Sequence, residues 1–351
     1  MVIPTRISAF QGAAAINRAS YLHRLVSDPP AVRCLLISHE PFSAAPRDRR
    51  PLRALALYLM AVFIGGPLLA PWLYHGIQAL AQSVPALETA ARMPFARYVN
   101  RGLLIVALLG LPFFVRGAGV RRWADVGIAP GFIRWRRFGA AFALGFLSLA
   151  AVCAITLMAG GRLLKPRTPG ELAGQFLGVL ATALIVAVIE ELLFRGAMFG
   201  MLRRAMRWPA ALAASSAVYA ITHFMARPEN PAEVGWLSGL RVLPTMLAGM
   251  TELRTLFPAL PSLALAGVIL GLAYQWTGDL SASIGIHAGW IFWLKFYGFA
   301  TRRAPDVDPW FWGSGKLVDG WLAFAALVVV LSLLVMTARR RRVLGGASWT
   351  V

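Results

Sequence analysis

The sequence predicts an all-α protein, a polytopic transmembrane helix bundle of about eight spans. Three observations lead there. The 351 residues are 58% hydrophobic and only 14% charged, against about 25% charged in ordinary soluble domains. The apolar residues fall into long runs, and a spanning helix needs about 20 of them in sequence. The basic residues sit in clusters between those runs, as membrane topology requires.

Taken in order, the candidate spans are 54–80, 102–115, 138–160, 173–200, 209–225, 260–276, 281–300 and 320–337. The second is short. Between 226 and 259 the chain mixes Pro228, Pro231, Glu233, Arg241, Pro244, Glu252 and Arg254 with apolar residues. That stretch reads as a long loop with an amphipathic or re-entrant piece. Residues 1–50 are polar and mixed, with Pro29-Pro30 and no charged-then-apolar leader pattern, and read as an N-terminal tail. The organisation expected is therefore a tail over 1–50, N-terminal membrane helices over 51–171, a functional core over 172–300, and a last helix with a basic tail over 301–351.

Charge orients the bundle. Arginine clusters precede the first span (47–53) and follow the second (116–137), the fourth (203–207) and the eighth (339–342). An even number of spans puts all four on one side, the cytoplasm under the positive-inside rule, and both termini with them. Arg302 and Arg303 fall on the other side. The Ala- and Arg-rich composition points to a bacterial cytoplasmic membrane. A net charge of +20 reads as basic loops facing anionic lipid, so the partner expected is the bilayer and not nucleic acid. Cys34 and Cys153 form no metal or disulfide framework. Oligomeric state has no signature.

The chemistry concentrates at adjacent acids in an apolar helix, Glu190 and Glu191, followed by Arg195. Carboxylates at membrane depth are costly and face an interior or cavity where they act. Two of the five histidines lie in later spans, His223 and His287, whereas His75 sits near the end of the first and reads as interfacial. Glu190 precedes Arg203 by 13 residues, about 20 Å of helix. His223 follows Arg207 by 16 residues and His287 follows Asp279 by 8, about 24 and 12 Å. One cavity within the membrane can gather all three. Glu191 and Arg195 are four apart and share a helix face, which suits an ion pair. Glu190 points about 100° away, and a desolvated carboxyl not neutralised by arginine suits a general base. The aromatics Trp290, Phe292, Trp293, Phe296 and Tyr297 read as packing. Other hydrolase signatures fail. The one His-Glu step, His39-Glu40, has Ser43 where a zinc helix needs histidine, and Ser314 between two glycines reads as a turn.

These residues resemble the CPBP family, the type II CAAX prenyl protease and bacteriocin-processing group of intramembrane proteases. Its boxes read here Glu190-Glu191-Leu192-Leu193-Phe194-Arg195, then Tyr219-Ala220-Ile221-Thr222-His223 with Tyr where Phe is usual, then His287-Ala288-Gly289-Trp290-Ile291. The run Gly271-Leu272 through Gly278-Asp279-Leu280 resembles the lead-in to the third box. The resemblance spans about 172–297. It implies an endopeptidase acting on membrane-associated or lipid-modified proteins. Glu190 would activate water, His223 and His287 would assist, and Glu191, Arg195 and Tyr219 would support. No cofactor is expected. The alternative is a zinc site with Glu190, His223 and His287 as ligands, and the spacing does not choose between them. Ile291 departs from the family's Asn or Asp and cannot hydrogen-bond. That departure keeps a second class open, an inactive membrane immunity or scaffold protein. A proton-relay transporter ranks last, since no internal repeat is present.

Overall fold

The computed structural model describes residues 49–120, 122–128, 133–225, 231–248, 257, 259–305, 307–313 and 319–343. The tail expected over 1–50, with Cys34, His23 and His39, falls almost wholly outside the described residues, and so does Ser314. All eight predicted apolar stretches are helical. They are α1 (Arg50–Ala81), α2 (Phe95–Gly117), α3 (Trp135–Met158), α4 (Pro169–Glu191), α6 (Trp208–Thr222), α8 (Ala259–Thr277), α9 (Ser281–Ala300) and α10 (Trp321–Val343). α4 continues through a π-helical stretch, Leu192–Phe199, into α5 (Gly200–Ala205). The 226–259 stretch carries the amphipathic α7 (Ser238–Leu247), which buries Ser238, Gly239, Val242 and Met246.

Among the described residues, six helices are long and apolar enough to cross a bilayer: α1, α2, α3, α4 with α5, α8 and α10. The protein is an integral membrane protein. α6 has 15 residues, about 22 Å at helical rise, short of a hydrocarbon core of about 30 Å. α9 is 20 residues long, but His287, Lys295 and three glycines dilute it. The second span begins seven residues earlier than the sequence suggests. Arg97, Asn100 and Arg101 interrupt the apolar run without ending the helix.

Glycines set the crossings that build the site. α9 lies on α3, where a Cβ on Gly285 would stand 2.9 Å from the Phe142 backbone nitrogen and one on Gly289 2.8 Å from the Phe142 carbonyl oxygen. This small-xxx-small contact fixes the rotation of α9. His287 is two residues from each glycine, about 200° around the helix, so it points away from α3 toward α4 and α6. At the α6–α8 crossing, a Cβ on Gly267 would meet Ser216 Cβ at 2.9 Å, which draws Tyr219 and His223 inward.

The caps and loops follow local rules. Thr168 caps α4 in a capping box with Glu171, whose carboxylate accepts from the Thr168 backbone N–H at 2.8 Å. The bundle has one feature the sequence did not announce, a two-stranded antiparallel ribbon of β1 (Arg162–Leu164) and β2 (Thr301–Arg303). It holds Arg302 and Arg303 beside Arg162, whose guanidinium donates to Thr301 Oγ1 at 2.8 Å and covers the Tyr297 ring. The arginine clusters meet at α-helix ends. Arg134 (3.4 Å) and Arg137 both pair with Asp279, which also accepts from the Ser281 N–H. Arg203 reaches Gln275 and Arg204 reaches Asp125.

Candidate active site

Three helices bring the predicted residues together. Glu190 and Glu191 end α4, Tyr219 and His223 end α6, and His287 lies inside α9. The adjacent acids diverge, as neighbouring helical positions must. Glu191 turns into the core and is sealed from solvent, whereas Glu190 keeps 26% of its side chain accessible. Immediately after them the helix widens to π geometry over Leu192–Phe199, a rare form found frequently at functional sites. Gly196, within the π stretch, lets the backbone of the 123–126 turn approach. A Cβ there would lie 2.7 Å from the Val126 carbonyl oxygen.

Glu191 is the hub of the buried half. Its Oε1 accepts from Arg195 Nη1 at 2.9 Å and from His287 Nδ1 at 2.7 Å. The i,i+4 ion pair expected from the sequence is present, and the contact with His287 adds a role that sequence did not reveal. Arg195 also donates to the Gly267 carbonyl at 3.4 Å and stacks on the Tyr219 ring at 4.3 Å. Tyr219 joins the two halves. Its hydroxyl lies 3.4 Å from His287 Nε2, and its carbonyl accepts from His223 Nδ1 at 2.7 Å.

These partners fix both imidazoles. A carboxylate and a backbone carbonyl only accept, so each histidine carries its proton on Nδ1 and presents an Nε2 lone pair. Both Nε2 atoms face one oxygen, Glu190 Oε2, at 3.9 Å from His223 and 3.7 Å from His287. Those gaps exceed a direct hydrogen bond. Glu190 Oε2 is buried with no hydrogen-bond partner. Among the described residues, no group of three or more His, Cys, Asp or Glu is placed to hold a metal ion.

Glu190 and His223 open onto a cleft of about 410 Å³. Its walls are mostly apolar, with Leu59, Val62 and Phe63 from α1 and Leu103, Leu104 and Ala107 from α2. The cleft thus depends on helices outside the 172–300 core. Tyr58 and Asn100 line it as well, and sequence reading misses both. The signal for Asn100 is a lone amide just ahead of the apolar run read from 102, on a helix that begins seven residues earlier, at Phe95. His75 donates its Nε2 hydrogen to the Val234 carbonyl, 2.9 Å away, and packs near Trp236, a tie between α1 and the approach to α7. The aromatic run of α9 serves packing. Phe292 meets Phe146, Phe176 and Phe296, and Trp290 donates to Ser148.

Ile291 is 6% exposed and packs among Val179, Ala183, Ala187 and Ala288. An asparagine there would bury an amide among apolar side chains, at a cost of about 1–3 kcal/mol if unpaired. Ile291→Asn is therefore expected to lower the thermal midpoint of the detergent-solubilised protein. A midpoint equal to or above that of the parent would show that a partner awaits a polar group at this position.

Residues 172–293 match the family model described as type II CAAX prenyl endopeptidase, Rce1-like. The matched stretch contains Glu190 to Arg195, Tyr219 to His223, and His287 with Ile291, the same residues that carry the resemblance to CPBP proteases. No curated protein and no solved structure matches the chain.

Proposed function

We propose that residues 172–293, the stretch carrying the family match, are the catalytic core of an intramembrane endopeptidase that hydrolyses peptide bonds with a water activated by Glu190. One observation carries this reading: the buried, unpartnered Glu190 Oε2 faces two imidazole lone pairs at the wall of an apolar cleft. A water between these groups can donate one hydrogen to Glu190 and the other to His223 or His287, which leaves its lone pair free for attack. Glu190 takes the proton as the water oxygen bonds the peptide carbon. It then returns the proton to the leaving amine as the C–N bond breaks. Glu191 holds His287 in the required tautomer, and Arg195 balances the Glu191 charge. The substrate is a membrane-associated or lipid-modified protein, because the cleft walls are apolar and a prenylated or hydrophobic segment loses nothing by leaving lipid for them. Both termini face the cytoplasm.

A zinc-dependent form with Glu190, His223 and His287 as ligands is the alternative by donor type alone, since two imidazoles and a carboxylate are a zinc donor set, although these side chains are not placed here to hold a metal ion. It predicts activity that a chelator removes and zinc restores. The inactive scaffold reading rests on Ile291. All are separated from the proposal by terminal-peptide mass spectrometry on membranes from cells making the intact protein or Glu190→Ala at equal abundance. Cleaved termini that require Glu190 and resist chelation are the expected result. Identical terminal maps from both membranes would leave the scaffold reading standing.

A further inference from the structure

Among the described residues, the polar ones that line the Glu190 cleft are Tyr58, Asn100, Glu190, Thr222 and His223. Four of them have no proton to offer a substrate carbonyl. Tyr58 donates its hydroxyl hydrogen to the Ala107 carbonyl at 2.8 Å. Thr222 donates to the Tyr219 carbonyl at 2.9 Å, and His223 gives its Nδ1 hydrogen to the same oxygen. Ionised Glu190 only accepts. His287, set deeper, gives its Nδ1 hydrogen to Glu191. Asn100 differs. It is half-buried in α2, and its side chain makes no hydrogen bond among the described residues. Its amide carries two N–H donors.

An amide whose N–H donors are not committed to the protein, on the wall of the cleft that Glu190 lines, is available to a bound substrate. Peptide hydrolysis builds negative charge on the carbonyl oxygen, and donors aimed at that oxygen are usually the largest single contribution to rate. Ile291 supplies none. We infer that Asn100 is a catalytic residue that donates a side-chain N–H to the substrate's carbonyl oxygen, from the α2 wall of the cleft that Glu190 lines from α4. The oxyanion donor then comes from outside the matched core, on a helix that also forms the apolar wall for the substrate. This assignment rests on the endopeptidase reading.

The test compares Asn100→Leu, which keeps the shape and removes the donor, with Glu190→Gln and the intact protein. The first readout is the set of Glu190-dependent termini in membranes. The second is kcat and KM of the purified proteins on a fluorescence-quenched peptide copied from one of those termini. Asn100→Leu is expected to lower kcat by about 10²–10³-fold, with KM within about threefold and no loss of thermal stability. Asn100→Ala gives the same kinetic result and replaces the leucine variant if that one fails to insert. Cleavage by either variant within threefold of the intact protein, with Glu190→Gln inactive, overturns the Asn100 assignment alone. Intact membranes without any Glu190-dependent termini overturn the endopeptidase reading and this assignment with it.

Discussion

Glu190→Gln is expected to lower kcat for peptide hydrolysis by about 10²–10⁴-fold, the range that a positioned general base supplies, with the fold intact. Glutamine matches glutamate in size and keeps a polar side chain facing the His223 and His287 Nε2 lone pairs, across gaps of 3.9 and 3.7 Å that a water can bridge. The variant should therefore melt no lower than the parent. His223→Ala removes one contact to the same water and should cost less. Because the two side chains serve one water, their effects should not add. The pair Glu190→Gln with His223→Ala is expected to be no slower than Glu190→Gln alone. Steady-state cleavage by the four purified proteins decides. More than a tenth of the parental kcat in Glu190→Gln would remove Glu190 from the role of base. Multiplying losses in the double variant would mean that His223 acts on a different atom of the reaction.

The residues of this site were legible because each is expensive where it stands. A carboxylate or an imidazole in an apolar helix needs a reason, and helical rise alone puts Glu190, His223 and His287 within the hydrocarbon region, where one cavity can gather them. The i,i+4 relation exposed Glu191 and Arg195. What the sequence hid depends on relations between helices. His287 turns toward Glu191 only because Gly285 and Gly289 press the other face of α9 onto α3, and no local pattern marks which face a glycine pair will bury. The π stretch after Glu191 preserves composition while changing register, so periodicity passes over it. The start of α2 was misplaced because Arg97 and Arg101 lower its hydropathy, and that error put Asn100 outside the bundle. The β1–β2 ribbon joins residues 139 apart across its Arg162–Thr301 contact, beyond the reach of any local signal.

Arg195→Ala is expected to destabilise the protein by about 3–5 kcal/mol, the usual cost of removing one partner from a buried ion pair. Arg195 and Glu191 are both sealed, 3% and 0% exposed, and Glu191 Oε2 already lacks a partner. Alanine would leave the Glu191 charge with only the His287 N–H, and would strip the guanidinium from the Tyr219 ring and the Gly267 carbonyl. Replacing both members together, Glu191→Leu with Arg195→Met, leaves no unpaired charge and should recover most of the loss, since apolar residues often substitute for a buried pair without penalty. Activity should not recover with it. Without Glu191 the His287 Nδ1 hydrogen has no acceptor, the ring can take the other tautomer, and its Nε2 lone pair no longer faces Glu190. Loss of a carboxylate that fixes a catalytic imidazole costs up to about 10⁴-fold elsewhere. Thermal midpoints and kcat of the single and double variants therefore separate two uses of one pair. Recovery of both quantities in the double variant would reduce Glu191–Arg195 to a brace between α4 and its neighbours. Recovery of stability alone would assign Glu191 the orientation of His287, with Arg195 as the cation that lets an acid stay ionised in the core of the bundle.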